Sequence, residues 1–167
     1  AKIEGLAGQR DAVQWHYIGQ LQSNKTRPVA ELFDWVHTVD RVKVAERLSA
    51  QRSFHGPSLN VCLQVNIGGE DSKGGVQPGE LLALAQGVAS LPRLRLRGLM
   101  CIPPENGNPA IQRSYFAALR QMKDDLISRG FGLDTLSMGM SGDLEAAIME
   151  GATHVRVGTA IFGERMT

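Results

Sequence analysis

No stretch of 18 or more apolar residues occurs in the 167-residue chain, so a membrane-spanning helix is not expected. The first residues, Ala1-Lys-Ile-Glu-Gly5, have neither the apolar segment nor the cleavage site of a secretory signal. They also lack an initiator methionine, and the chain opens in what reads as mid-helix. Cysteine is scarce. Cys62 and Cys101, the only two, each sit in or at the end of an apolar run, which suits buried thiols and a reducing, cytoplasmic setting better than a disulfide. There is no excess of charge: 18 Lys and Arg against 17 Asp and Glu leave a net +1, too little to hold a nucleic-acid backbone or an acidic membrane surface. His-Glu-x-x-His and Cys-x-x-Cys spacings are missing, which leaves a metal site unsupported. So are Gly-x-Ser-x-Gly, a Walker loop and the dinucleotide-binding glycine fingerprint, and no nucleophile stands beside a base as a hydrolase needs.

What is present is a regular alternation. Short apolar runs at Trp15 to Ile18, Trp35 to Val39, Asn60 to Ile67, Leu94 to Met100, Asp134 to Met138 and His154 to Val157 end in Gly, Asn, Pro or Ser and read as six strands. Helical spacing lies between them. One helix follows Asp40 as N-cap and buries Val42, Ala45 and Leu48. A second starts at Pro78, buries Leu81, Ala85 and Val88, and stops before Pro92. The longest starts near Asn108-Pro109 with a stripe of Ile111, Tyr115, Leu119, Met122 and Leu126 and ends around Gly130. The last begins after Ser141, buries Leu144 and Ile148, and closes at Gly151. Strict βα alternation with apolar strands predicts an α/β fold with a parallel sheet, in one domain over residues 1–167. Arg93-Leu-Arg-Leu-Arg97 departs from the apolar pattern, so one face of that strand should meet water or a barrel end. The longest loops, Ile67 to Gln77 and Ile102 to Asn108, lie at strand C-terminal ends, where barrel sites are built.

The C-terminal third carries the most specific signal. Leu136-Ser-Met-Gly-Met-Ser-Gly-Asp143 and Val155-Arg-Val-Gly-Thr-Ala-Ile-Phe-Gly163 are each an apolar strand running into a Gly- and hydroxyl-rich turn, the composition of an anion cradle. Two such turns on consecutive strand ends fit the top of an α/β barrel, whose phosphates bind at the loops after its last strands. Ser137, Gly139 and Ser141 share a face in extended geometry, and so do Arg156 and Gly158. Thr159 follows at a turn with free N–H groups. Ser141 also reads as an N-cap, and Arg156 as a surface ion-pair residue. Asp143 and Glu145 would repel an anion set directly on the final helix, so the phosphate position falls between the Ser137-to-Ser141 turn and Gly158-Thr159. His16 and His37 serve either as structural histidines or as a base or ring-stacking group; Lys73, in Asp71-Ser-Lys-Gly-Gly75, is a solvated loop lysine or an anion contact.

His16-Tyr-Ile-Gly-Gln-Leu-Gln-Ser-Asn-Lys25, Leu99-Met-Cys-Ile-Pro103, Leu136-Ser-Met-Gly-Met-Ser141 and Arg156-Val-Gly-Thr-Ala-Ile-Phe-Gly163 together resemble the pyridoxal phosphate homeostasis proteins, the YggS/PROSC family, nearly end to end. The resemblance implies a TIM-type (β/α) barrel like the N-terminal domain of alanine racemase, and a protein that binds pyridoxal 5′-phosphate (PLP) to supply or buffer the cofactor, without robust catalysis of its own. It implies that Arg156 faces the pyridine nitrogen, where a cation keeps that nitrogen unprotonated and weakens the ring as an electron sink. It places Ser137, Met138, Gly139, Ser141, Gly158 and Thr159 around the phosphate, with His16, Asn66 and Met100 as further wall residues. PLP-dependent apo-enzymes are the partners it implies, and a monomer the assembly state.

One departure from the family pattern matters. The family holds PLP as a Schiff base on a first-strand lysine in a segment like Ala-Val-Ser-Lys-Thr-Lys-Pro, and its second strand carries Phe-Gly-Glu-Asn-Tyr; neither is found here. The chain therefore reads as six βα units of eight, apparently without the first two, and none of Lys2, Lys25, Lys43, Lys73 and Lys123 matches the lysine motif. PLP binding is then expected to be non-covalent. Two open parallel edges should leave such a chain weak alone, and dimerisation or strand swapping would cover them. Two enzymatic alternatives stand beside this reading. A PLP-dependent amino-acid racemase needs a base on each face of the cofactor. A phosphosugar-type barrel enzyme needs a strand-end base, for which Asp40 and Asp134 are the candidates.

Overall fold

Six parallel strands lie side by side in chain order, β1 His16–Tyr17, β2 Trp35–Val39, β3 Leu59–Gln64, β4 Leu94–Met100, β5 Thr135–Met140 and β6 His154–Arg156. The structure is a computed structural model that describes residues 13–70, 73–158, 161 and 163. Sequential parallel order forces each connection to cross one face of the sheet. Five α-helices make those crossings: α1 Thr26–Leu32, α2 Val42–Gln51, α3 Leu81–Ala89, α4 Pro109–Ser128 and α5 Leu144–Met149. The result is a partial (β/α) barrel, with β1 and β6 as its edges among the described residues.

The two faces of the sheet differ in chemistry. Val36, Val61, Leu63, Leu99, Leu136 and Met138 belong to one continuous core with Ala45 and Leu48 of α2, Leu84 and Val88 of α3, and Phe116 and Leu119 of α4. Burying side chains of this size contributes about 1.5–3 kcal/mol each, so the helix-facing side drives the assembly. The opposite, inner face buries a much smaller apolar group, Trp35, Cys62 and Met100, and is otherwise polar. Both cysteines are free and buried, and burial pushes the Cys101 thiol up to about 12.

Arg97 explains the charged stretch in β4. Its Nε and Nη2 donate to the Asp134 carboxylate at 2.9 and 2.6 Å, and its Nη1 donates to Asn60 Oδ1 at 3.0 Å. The guanidinium also lies 4.8 Å from the Trp35 ring centre. Leu94 and Leu96 pack toward the helices, so alternation puts Arg95 and Arg97 on the opposite side, whereas Arg93, just before the strand, donates from Nε to the Ser49 carbonyl of α2 at 2.8 Å. Gly98 is needed where β4 meets β5: an added Cβ would fall on the Thr135 carbonyl.

Several element ends differ from the sequence expectation. Asp40 does not cap α2; Arg41 occupies that position, and Asp40 accepts from Arg41 Nη1 at 2.8 Å instead. Ser141 does not cap α5, which starts after Asp143, and that helix buries Ala146 and Ala147 while Ile148 is exposed. The short helix is set against the sheet by its small residues, because Gly139 has a φ of 98° and approaches Ala147 closely. Asn108 does cap α4, accepting from the Ala110 amide at 2.9 Å. That helix buries Phe116, Leu119 and Leu126, whereas Ile111 is exposed. Helix α1 carries no strong sequence signal. Its C-terminal end is held from outside by Arg52, whose Nη1 donates to the carbonyls of Ala30 and Phe33 at 2.7 and 2.8 Å and whose Nε donates to Pro57 at 2.9 Å.

Candidate functional site

Parallel register brings residues of neighbouring strands to the same height on the inner face. His16 pairs with Trp35 across β1 and β2, and Ser137 pairs with His154 across β5 and β6. Three imidazoles consequently meet. His16 stacks on Trp35 with ring centres 5.4 Å apart and planes 7° apart, and His154 lies 5.6 Å from His16 and 5.7 Å from His37. A hydrogen-bonded line runs through them: His16 Nδ1 is 2.8 Å from His37 Nε2, and His37 Nδ1 is 2.7 Å from Ser137 Oγ.

The electrostatics of this line follow from enclosure. His37 is 1% exposed and Ser137 0%. Burial, reinforced by His16, His154 and Arg156, pushes the His37 imidazole down to about 3, so it is neutral at physiological pH. Burial and His154 lower the His16 value against an opposing pull from Asp34, and burial followed by Arg97 lowers that of His154.

Arg156, at the end of β6, borders the same space. Its Nη2 donates to the Cys101 carbonyl at 2.8 Å, which fixes the guanidinium against the end of β4. Its Nε is buried and, among the described residues, has no hydrogen-bond partner. A buried N–H without an acceptor is uncommon, and the Arg156 side chain lines a cavity of about 230 Å³ together with His16, His37, Ser137 and His154. Burial lowers the Arg156 value, but a guanidinium remains a cation throughout the physiological range.

The other residues expected at the site divide into two groups. Ser137 and Met100 lie on the inner face, both fully buried, with the Ser137 hydroxyl engaged by His37 rather than open to a ligand. Met138 faces the other way, its side chain in the helix-side core, so only its backbone is available to a ligand. Gly139 is required by its positive φ and by Ala147. Ser141 is exposed and lines a cavity with Pro104, Asn106 and Asp143, and the Asp143 carboxylate accepts from the Met140 amide at 2.5 Å. That turn therefore already cradles an anion of its own chain. Among the described residues nothing lies within 4 Å of a Cβ added at Gly158, and Thr159 lies outside the described residues. Asn66 is buried and spends its amide on the loop after β3, donating to the Glu70 carbonyl at 2.9 Å. Lys73 pairs with Glu70 at 2.9 Å and lines a separate cavity with Ile18, Thr38 and Ile102. The base candidates of a phosphosugar enzyme are engaged elsewhere: Asp40 with Arg41, and Asp134 with Arg97, which holds its carboxyl below the usual range. Sequence reasoning passed over Trp35 and His154. Their positions two residues before His37 and Arg156 were the available signal, since alternate strand residues share a face.

The alanine racemase N-terminal domain profile matches residues 3–166. The pyridoxal phosphate homeostasis protein of Haemophilus influenzae is 49% identical over 166 residues, covering 98% of this chain and 70% of that protein. The chain belongs to the pyridoxal phosphate homeostasis protein family. The family member of Pseudomonas aeruginosa is 61% identical over 153 residues, which are 92% of this chain. The chain spans about 65% of the length of the Pseudomonas and Vibrio cholerae relatives. Among solved structures, PipY of Synechococcus elongatus with PLP bound superposes with a TM-score of 0.85 at 39% identity, covering 96% of this chain and 76% of PipY. An alanine racemase of Clostridium difficile shares the fold at a TM-score of 0.71 and 16% identity. The barrel read from the strand order is therefore that of this family. No helix among the described residues is long and apolar enough to cross a membrane.

Proposed function

We propose that this chain binds PLP non-covalently at the inner-face cavity beside Arg156 and acts in PLP homeostasis as a cofactor carrier or buffer rather than as an enzyme. The observation that carries this reading is the buried Arg156 Nε, without a partner among the described residues, on a side chain that lines the cavity. It fits an unprotonated pyridine nitrogen, a neutral acceptor that a fixed cation keeps from taking a proton. When bound, PLP would supply a conjugated electron sink, and a cation at the ring nitrogen weakens that capacity, in keeping with storage. The names of the relatives and the PLP held by PipY support the choice of ligand.

Arg156 would hold the ring, and the backbone of Met138 to Ser141 with Gly158 and Thr159 would take the phosphate. Asp143 must then give up the Met140 amide or share the turn with the phosphate. His16, Met100 and Ser137 would form or support the wall, and Asn66 would shape the adjoining loop. Apo-enzymes that use PLP would be the recipients.

Titration of the chain with PLP, followed by tryptophan fluorescence and by absorbance, tests the reading. Saturable quenching without a new band near the visible edge is expected, and Arg156→Gln should weaken binding about tenfold, the loss of one charge-assisted hydrogen bond. Unchanged affinity in Arg156→Gln would remove the reason for placing the ring there. Racemisation of alanine well above that of free PLP would favour the enzymatic alternative.

A further inference from the structure

The inner-face line has a direction, and its enclosed end decides it. Ser137 has no exposed surface, and among the described residues its hydroxyl has one hydrogen-bond partner, His37 Nδ1 at 2.7 Å. An enclosed O–H without an acceptor is strongly disfavoured, so Ser137 donates and His37 Nδ1 accepts. A neutral imidazole carries one proton, which for His37 must then sit on Nε2. His37 Nε2–H donates to His16 Nδ1 at 2.8 Å, and the proton of a neutral His16 is left on its own Nε2. Reversing every bond would leave the Ser137 hydrogen with no protein acceptor among the described residues.

We infer that Ser137, acting through His37, fixes the tautomer of His16 and so presents a preset Nε2–H donor at the wall of the cavity that Arg156 borders. Ser137 and His37 are positioning residues; His16 is the contact. Stacking on Trp35 at 5.4 Å holds the His16 ring in plane, so the donor is fixed in direction as well as in tautomer. Among the described residues, the side chains lining this cavity include no carboxylate. With His16 and Arg156 both offering N–H groups, the site selects a ligand whose facing atoms are acceptors without hydrogen: an anionic oxygen, or a ring nitrogen bearing a lone pair. That the ligand is PLP rests on the function proposed above, whereas the direction of the protons does not.

The experiment separates the two. Histidine 15N spectra of the ligand-free chain should show both His16 and His37 protonated on Nε2, and Ser137→Ala should turn the single His16 tautomer into a mixture. A proton on Nδ1 of either ring in the native chain, or an unchanged His16 tautomer in Ser137→Ala, overturns the inference. PLP titrations then examine the donor. His16→Gln, which keeps an N–H at similar reach, should bind within about twofold of the native chain, and His16→Phe, which keeps a ring on Trp35 but no donor, about tenfold more weakly. Equal affinity for the native chain and His16→Phe overturns the donor role. No PLP binding by the native chain sinks the cofactor reading alone, and the tautomer spectra still decide the rest.

Discussion

Lowering the pH from 7 to 5 should destabilise this chain, and His37 sets the size of the effect. Its imidazole is enclosed on the inner face between His16 and Ser137 and has its value pushed from 6.5 down to about 3, chiefly by burial. In the unfolded chain the same ring takes up a proton near pH 6.5. The unfolded state then binds more protons than the folded one throughout the window from about 6.5 to about 3, so stability falls as pH falls through it. The slope is about 1.4 kcal/mol per pH unit, which gives about 2 kcal/mol lost by pH 5 from this one residue. For a domain whose whole stability is about 5–15 kcal/mol, that is a large share. His16 and His154 are shifted in the same direction and add to the loss. The depressed carboxyls do not confuse the measurement. Asp134 and Glu150 keep their stabilising ionisation until the pH falls below their ordinary values of 3.8 and 4.5. Urea unfolding at pH 7, 6 and 5 measures the slope, and His37→Gln should flatten it while lowering stability at pH 7. Equal stability at pH 7 and pH 5, or a His37 ring that titrates near 6.5 in the folded chain, would refute the reasoning.

Three further outcomes are expected. Arg52→Met should cost about 3 kcal/mol in urea unfolding, because the carbonyls of Ala30, Phe33 and Pro57 lose their donor at the end of α1; a change under 1 kcal/mol would mean that water replaces the guanidinium. Gly98→Ala should cost more than about 3 kcal/mol or prevent folding, since its Cβ would fall on the Thr135 carbonyl and push β4 from β5; a native-like thermal midpoint would show that the strands can separate there freely. Glu150→Gln should cost about 1–2 kcal/mol, as the buried carboxylate at the end of α5 accepts from Arg113 at 2.5 Å and from Arg120 at 3.1 Å. The test is whether Arg113→Ala with Arg120→Ala loses a similar amount and adds nothing in the Glu150→Gln background.

The sequence by itself determined the alternation of strand and helix, the parallel sheet and the family. Those properties are written in local patterns: apolar runs of strand length, Pro78 and Asn108 at helix starts, and motifs that lie close together along the chain. Arg156 could be picked as a site candidate for the same reason, since two strand positions separate it from Gly158. Tertiary structure decided which face each residue serves. Met138 carries a site-like motif yet packs toward the helices, and Ser137, one residue earlier, faces inward. Nothing local marks His16, His37, Ser137 and His154 as neighbours, because His37 and Ser137 are 100 residues apart in the chain. Parallel register joins them, and burial then strips the imidazoles of their charge and sets the direction of their hydrogen bonds. Asp40 and Asp134 looked available as bases until folding set them against Arg41 and Arg97. The pattern of types along a chain specifies which elements form. Which side chains share an enclosed space, and with what charge, depends on distances that only the folded sheet provides.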